Sequence, residues 1–473
     1  MDKMPDWLIE FLEKMPVAIK PVVETLTPNA QVVLHEGQMS LFVHNERSIR
    51  GHGAIFLNWT PKLSLWYWIE INEKNPESFK PYDAKGLLAE IKFDAFPSTN
   101  DSIHLTPFCI ASLLQSNLSR TFKQGFSHGN DTALTKTIFH VANCVPFFGS
   151  GSVVATQSEE VYSVDAINGR CQFIVQGWNI TIDRTLQFKG LVEQMEENSG
   201  FGLTHVGRLE RQDGSTFLGG EALAFLENLS YLLSFCSARW CGVMLAFGYG
   251  INDTSEMPVW VNWDIGRVDP WKEQQNWFPR TDEFALSRLA PGFLNKMADP
   301  MWTKPLRTAT NWYLEAINPG TMDSGIVLTQ VGLELLAWTH MVHTSKTFSK
   351  TKFDPLPAQD KITIILKECK IPIDIPQTYV SLTQYAASNN KVTGPEITVK
   401  LRNALVHGSN IEKYLGVGGD VRFETWDIGL CYLELTLLWL SQYQGQYMNR
   451  SNPVPSTTVY ETVPWVFDLE QAE

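Results

Sequence analysis

The sequence predicts an α+β protein, with a β-rich front (sandwich- or barrel-like) followed by an all-helical bundle. Two observations carry this. Short runs rich in β-branched and aromatic residues, separated by turn residues, fill the chain to about residue 217; from Glu283 onward, apolar residues recur at helical spacing. In addition, 473 residues exceed what a single core normally organises, so two or three domains are expected. The expected division is 1–217 as the β-rich domain, 218–282 as a helix–strand connecting region, 283–450 as the helical domain, and 451–473 as an extended tail with three prolines.

Taken in order, Gln31–Val43, Ala54–Leu57, Leu63–Ile71 and Thr137–Cys144 read as strands. Val161–Ile167 and Arg170–Val175 flank Asn168-Gly169, a pair that favours a tight hairpin turn. Asn179–Arg184 supplies a further strand, and Val206–Glu210 with Asp213-Gly214 suggests one more hairpin. The pattern changes at Gly219-Gly220. Leu223, Leu226, Leu229, Leu232 and Leu233 place a helix over Glu221–Cys236, and strands over Gly242–Tyr249 and Met257–Asp264 follow. The helical part reads as Glu283–Met297, Lys304–Ile317, Gly325–Val342, Gln359–Cys369, Thr378–Ala387, Pro395–His407 and Thr425–Tyr447.

Composition narrows the function. Hydrophobic residues at 44% and charged residues at 19% describe a folded chain, not a disordered one. The net charge of −13, from 51 acidic and 38 basic residues, is opposite to that of a protein coating nucleic acid without discrimination, so any nucleic-acid chemistry needs a local basic site. Seven scattered cysteines with no Cys-x-x-Cys pair support neither a zinc knuckle nor a disulfide framework. The opening Met-Asp-Lys-Met-Pro-Asp-Trp lacks a signal-peptide pattern, and the apolar stretch Ala222–Phe247 is interrupted by Glu227 and Arg239. The expectation is a reduced, cytoplasmic protein with no membrane partner.

The segment Thr393–Gly408 carries the most chemistry. Thr393 and Glu396 have capping-box spacing, Pro395 falls in the first turn, and Gly408 is placed to end the helix in a left-handed conformation. Between these marks lie Arg402, Asn403 and His407. A permanently charged fork near an imidazole of ordinary pKa about 6.5 is the pairing that phosphodiester cleavage uses. A second Arg-x4-His match, Arg47 to His52, lies in the β-rich front without a surrounding helix and is set aside. On a helix, residues five apart point about 140° from each other. One copy of Arg402 and His407 therefore does not converge on a small group, whereas two helices across a two-fold axis would surround one cleft.

Arg402-Asn403-x3-His407 in a helical domain resembles the HEPN superfamily, whose ribonucleases carry an Arg-polar-x3–5-His motif. Trp312-Tyr313-Leu314 and Leu333-Glu334-Leu335-Leu336 look like the earlier helices of such domains. A β-rich front followed by such a domain is similar to the ApeA-like abortive-infection proteins. The resemblance covers about Glu283–Tyr447 and is architectural only for the front. It implies metal-independent endoribonuclease activity on tRNA or mRNA, a homodimer through the helical domain, and no cofactor. By the same resemblance, His407 is general base or acid, Arg402 clamps the phosphate, and Asn403 orients one of them or a ribose hydroxyl. The β-rich front becomes a sensing or regulatory module that meets a phage-derived trigger. A non-catalytic HEPN-type module that binds RNA or a ligand is the second reading.

Three further features complete the expectations. Glu334, on an apolar helix, is either a carboxylate orienting Arg402 or a partner in a structural pair. Lys346, Lys350 and Lys352 form a basic run that either guides RNA or is a solvated loop. His340 and His343 lie three apart but lack a third ligand, so no metal site is expected.

Overall fold

A computed structural model describes residues 14–43, 47–70, 89–93, 112–114, 117–121, 127–157, 162–251, 257–264, 266–452 and 460–466. The chain is α+β, with β-sheets in its front part and helices behind. Two compact units form. One takes in the described residues up to Cys144 together with Gly149–Ser230 and Cys241–Glu273. The other comprises Val145–Phe148, Tyr231–Trp240 and the described residues from Gln274 onward.

The β-rich unit begins with β1 (Val32–Val43), β2 (Arg47–Asn58), β3 (Ser64–Glu70), β4 (Ala89–Phe93), β5 (Ser112–Leu114) and β6 (Asn117–Thr121). They form one antiparallel sheet in the order β4-β1-β2-β3-β6-β5. A second sheet uses β7 (Ser127–His128), β8 (Lys136–Ala142), β9 (Ser150–Gln157), β10 (Tyr162–Val175) and β11 (Trp178–Arg184). After helix α1 (Phe188–Asn198) it gains β12 (Leu203–Arg211), and after α2 (Gly219–Ser237) it gains β13 (Gly242–Tyr249) and β14 (Trp260–Asn262). Its order is β7-β14-β13-β8-β12-β11-β10-β9. Thus the segment expected to be a connection supplies two strands of this sheet. Val32, Ile55, Leu57 and Leu65 of the first sheet share one buried cluster with Ala142, Leu203, Phe247 and Val261 of the second. Face-to-face burial of this kind is how two sheets form a sandwich core.

Asn168-Gly169 does not turn the chain. β10 runs through it as a bulge, with the register against β9 shifting between Asn168 and Arg170 and Gly169 at φ +133°. A bulge re-aims the next side chain, and Arg170 meets buried Asp183 through two bonds of 2.7 Å. The hairpin turn lies instead at Gln176-Gly177, with φ of 54° and 73°, joining Val175 to Trp178. Two left-handed residues in succession match the twist of the flanking strands. The turn at Asp213-Gly214 forms, but Phe217 makes only an isolated bridge to Leu134 before α2 begins. Helix α1 was not expected, although Phe188, Leu191, Val192 and Met195 bury a face with helical spacing.

Segment 14–30 crosses this unit on polar anchors. Val17 carbonyl accepts from Arg170 Nη2 at 2.7 Å, and Ile19 N–H donates to Asp183 Oδ2 at 2.8 Å. Val22 and Val23 N–H both donate to His140 Nε2, at 3.1 and 3.3 Å. His140 Nδ1 donates in turn to the Leu245 carbonyl at 2.9 Å.

The helical unit contains α3 (Ala285–Ala298), α4 (Thr303–Ile317), α5 (Met322–Trp338), the short α6 (Lys350–Phe353), α7 (Ala358–Glu368) and α8 (Val380–Ser388). It continues with α9 (Gly394–Val406), α10 (Ile411–Leu415) and α11 (Gly419–Leu440). Helix α11 starts six residues before the expected Thr425, at Gly419. From Thr425 onward it is buried on nearly all sides, as an apolar helix at the centre of a bundle must be. Met322–Thr344 is long and apolar enough to cross a membrane by composition, but most of it is buried inside the unit. Its last six residues, Thr339–Thr344, wind as a π-helix. Within the expected tail, β16 (Tyr460–Thr462) pairs antiparallel with β15 (Gln446–Met448). Residues 453–459 and 467–473 of that tail lie outside the described residues.

Candidate functional site at the carboxyl end of α9

Helix α9 forms as its sequence directs. Thr393 Oγ1 accepts from Glu396 N–H at 3.4 Å, and Glu396 Oε2 accepts from Thr393 N–H at 3.1 Å, a closed capping box. The Val392 N–H bonded to Glu396 does most to hold that carboxyl below its ordinary range. Pro395 occupies the first turn, and Gly394 N–H donates to the Ile373 carbonyl at 2.8 Å. Ile397, Val399 and Leu401 are buried as α9 packs against α5, α7 and α11.

The opposite end carries the three residues of interest. Arg402 is half-buried; its Nη1 donates to Asn403 Oδ1 at 3.1 Å, while its Nε is buried with no hydrogen-bond partner among the described residues. His407 is exposed, and its backbone N–H donates to the Asn403 carbonyl at 3.1 Å. Asn403 therefore touches both neighbours, Arg402 through its side chain and His407 through its main chain.

Two details of the expected geometry change. The helix ends at His407 itself, which is extended at φ −102°, ψ 109°, and not at a left-handed Gly408. Gly408–Asn410 instead forms a 3-10 turn leading into α10. Because His407 has left helical geometry, the 140° separation of an unbroken helix does not describe it.

The remaining candidates separate. Glu334 is half-buried on α5, accepting from Gln330 Nε2 at 3.2 Å; its hydrogen bond goes there and not to Arg402. Lys346, Lys350 and Lys352 are exposed, Lys346 just after the π-helix with φ 55° and the other two on α6. His340 is buried against the Trp439 ring, 3.9 Å from Glu368, and burial lowers its pKa. His343 is exposed beside Trp338. No group of three or more His, Cys, Asp or Glu able to hold a metal occurs among the described residues. His52 of the discarded match stands on β2, 3.9 Å from Glu36 on β1.

Sequence reading missed a buried charge cluster. Arg450 meets Glu434 and Asp427, whose carboxylates also accept from Tyr313 and Tyr379 hydroxyls, each at 2.7 Å. The available signal was two acids seven apart, on one face of an apolar helix.

Comparison with known proteins gives two matched stretches. Residues 129–274 match the family described as the YopA central domain, and residues 299–462 match the one described as the YopA C-terminal domain. The chain is also similar to the SPbeta prophage-derived uncharacterized protein YopA of Bacillus subtilis (strain 168). The two are 27% identical over 384 residues, covering 78% of this chain and 83% of that protein. No solved structure matches.

Proposed function

We propose that this protein is an endoribonuclease of the HEPN type, working without a metal ion as a homodimer through its helical unit, in the cytoplasm. The observation that carries the reading is at the end of α9, where the Asn403 side chain accepts from the half-buried Arg402 guanidinium and its carbonyl accepts from the backbone N–H of exposed His407. In this reaction, one His407 takes the proton from a ribose 2′-hydroxyl, whose oxygen then attacks the adjacent phosphorus. The bond from phosphorus to the 5′-oxygen breaks, leaving a 2′,3′-cyclic phosphate. The leaving oxygen takes a proton from the other copy's His407 and becomes a 5′-hydroxyl. Arg402 clamps the non-bridging oxygens as charge builds on them. Exposed Lys346, Lys350 and Lys352 guide RNA toward an otherwise acidic protein. Glu334, occupied by Gln330, has no part in this scheme.

The setting is antiphage defence by abortive infection, with the β-rich unit meeting a phage-derived trigger. Likeness to a prophage-derived protein supports a phage-linked setting. Six free cysteines among the described residues agree with a reducing compartment. Purified protein incubated with total RNA or tRNA in EDTA is expected to cut it, whereas H407A is not. Equal behaviour of the two defeats the reading. The commitment of Arg402 Nη1 to Asn403 favours one alternative, a non-catalytic module that binds RNA or a ligand. In that case expressing the wild type does not slow growth, and R402A alters binding alone.

A further inference from the structure

We propose that Tyr414 and Asp323 are positioning residues that latch the segment after His407 onto the amino end of α5, an assignment that rests on the nuclease reading for its catalytic consequence. The segment 407–418 has little of its own to hold it. Its 3-10 turn and the five-residue α10 are too short to persist alone. Leu415 is 68% exposed, and only Tyr414, at 1%, and Val417, at 5%, are buried among the segment's described side chains.

Tyr414 supplies the anchor. Its ring is enclosed, and its hydroxyl donates to the Asp323 carboxylate. Asp323 stands in the first turn of α5, where free backbone N–H groups favour a negative charge. The Arg422 guanidinium lies 5.5 Å from the Tyr414 ring centre, and its Nε donates to the Val417 carbonyl at 3.2 Å. Burial first, and the bond to Asp323 second, push the Tyr414 hydroxyl up, so it remains the donor.

The arrangement brackets His407. On its amino side, His407 N–H is bonded to Asn403 of α9, a helix that packs against α5. On its carboxyl side, the chain returns to the same α5 through Tyr414. Both anchors refer the imidazole to one rigid helix, and displacement of a catalytic group by about 1 Å is enough to cost up to ~100-fold in rate.

The test compares Y414F, D323A and D323N in the full-length chain. Y414F keeps the ring and loses the hydroxyl, while D323N keeps an oxygen acceptor. Y414F and D323A are expected to speed amide exchange across 407–418 by about five-fold or more, the scale of one lost hydrogen bond, with exchange of 394–406 unchanged. In RNA cleavage they are expected to lower kcat about 10-fold, with KM within two-fold, and D323N is expected to recover most of the loss. Unchanged exchange in Y414F overturns the latch. Faster exchange with unchanged kcat overturns its positioning role. A wild type that cuts no RNA defeats the nuclease reading and the positioning role that rests on it; the exchange comparison then decides the latch alone, faster exchange upholding it and unchanged exchange overturning it.

Discussion

The guanidinium of Arg450 forks onto the Glu434 carboxylate, Nε 2.7 Å from one oxygen and Nη2 2.8 Å from the other, in a place closed to solvent. Its Nη1 lies 3.4 Å from Asp427, so two buried acids share one cation. Hydroxyl donors from Tyr313 and Tyr379 answer the remaining negative charge. Two helices, the residue that leads into α8 and the chain after α11 are thereby joined: Tyr313 comes from α4, Tyr379 precedes α8, and both acids stand on α11. Removing the cation leaves two buried carboxylates uncompensated. R450A is therefore expected to lose about 3–5 kcal/mol in chemical denaturation, and a loss below about 1 kcal/mol contradicts a buried, desolvated network.

Acid sensitivity of the β-rich unit follows from His140. Burial lowers its pKa to about 4, and both ring nitrogens are already committed in the neutral form, Nε2 accepting and Nδ1 donating. The folded pKa lies below the unfolded value of about 6.5, so the unfolded chain takes up the proton first as pH falls. Stability from this group is complete above pH 6.5 and is lost between about 6.5 and 4, by about 3 kcal/mol in all. Denaturant midpoints measured from pH 7.5 to 4 check this. H140F is expected to flatten the His140 contribution, while that of His205, whose pKa burial also lowers, remains.

Helices α3 and α11 approach closely where a side chain would not fit. A Cβ at Gly292 would stand 1.7 Å from the Ser441 carbonyl oxygen, which is backbone and cannot swing away. G292A is expected to cost about 1–3 kcal/mol, typical of overpacking, and to lower the melting temperature. An unchanged melting temperature would mean that the two helices separate readily there.

The capping box gives a milder local effect. T393A removes the acceptor for Glu396 N–H and is expected to cost about 1 kcal/mol. Exchange protection in the first turn of α9 should fall more than that near Arg402.

Local signals were legible and long-range ones were not. The capping box, Pro395, the β-to-α change of character and most helices follow from spacing and short-range chemistry, which the chain writes within a few residues. Asn168-Gly169 misled because a glycine with positive φ serves a bulge as readily as a turn; pairing with β9 decided between them. The expected helix Pro395–His407 ran one residue too far, since His407 is the extended residue that caps it, the usual uncertainty at a helix terminus. The Arg450 cluster, the latch at Tyr414 and the seat of His140 join residues from 16 to 121 positions apart. Asp427 and Glu434, seven apart on one apolar helix, mark one side of the Arg450 cluster, but no local pattern names the distant partners.

The most direct measurement of the central claim is the chemistry of the ends produced when wild type and H407A act on a defined RNA in EDTA. The account predicts 2′,3′-cyclic phosphate and 5′-hydroxyl ends from the wild type, and none above background from H407A. Ends bearing a 3′-hydroxyl and 5′-phosphate, or equal yields from both proteins, would contradict it.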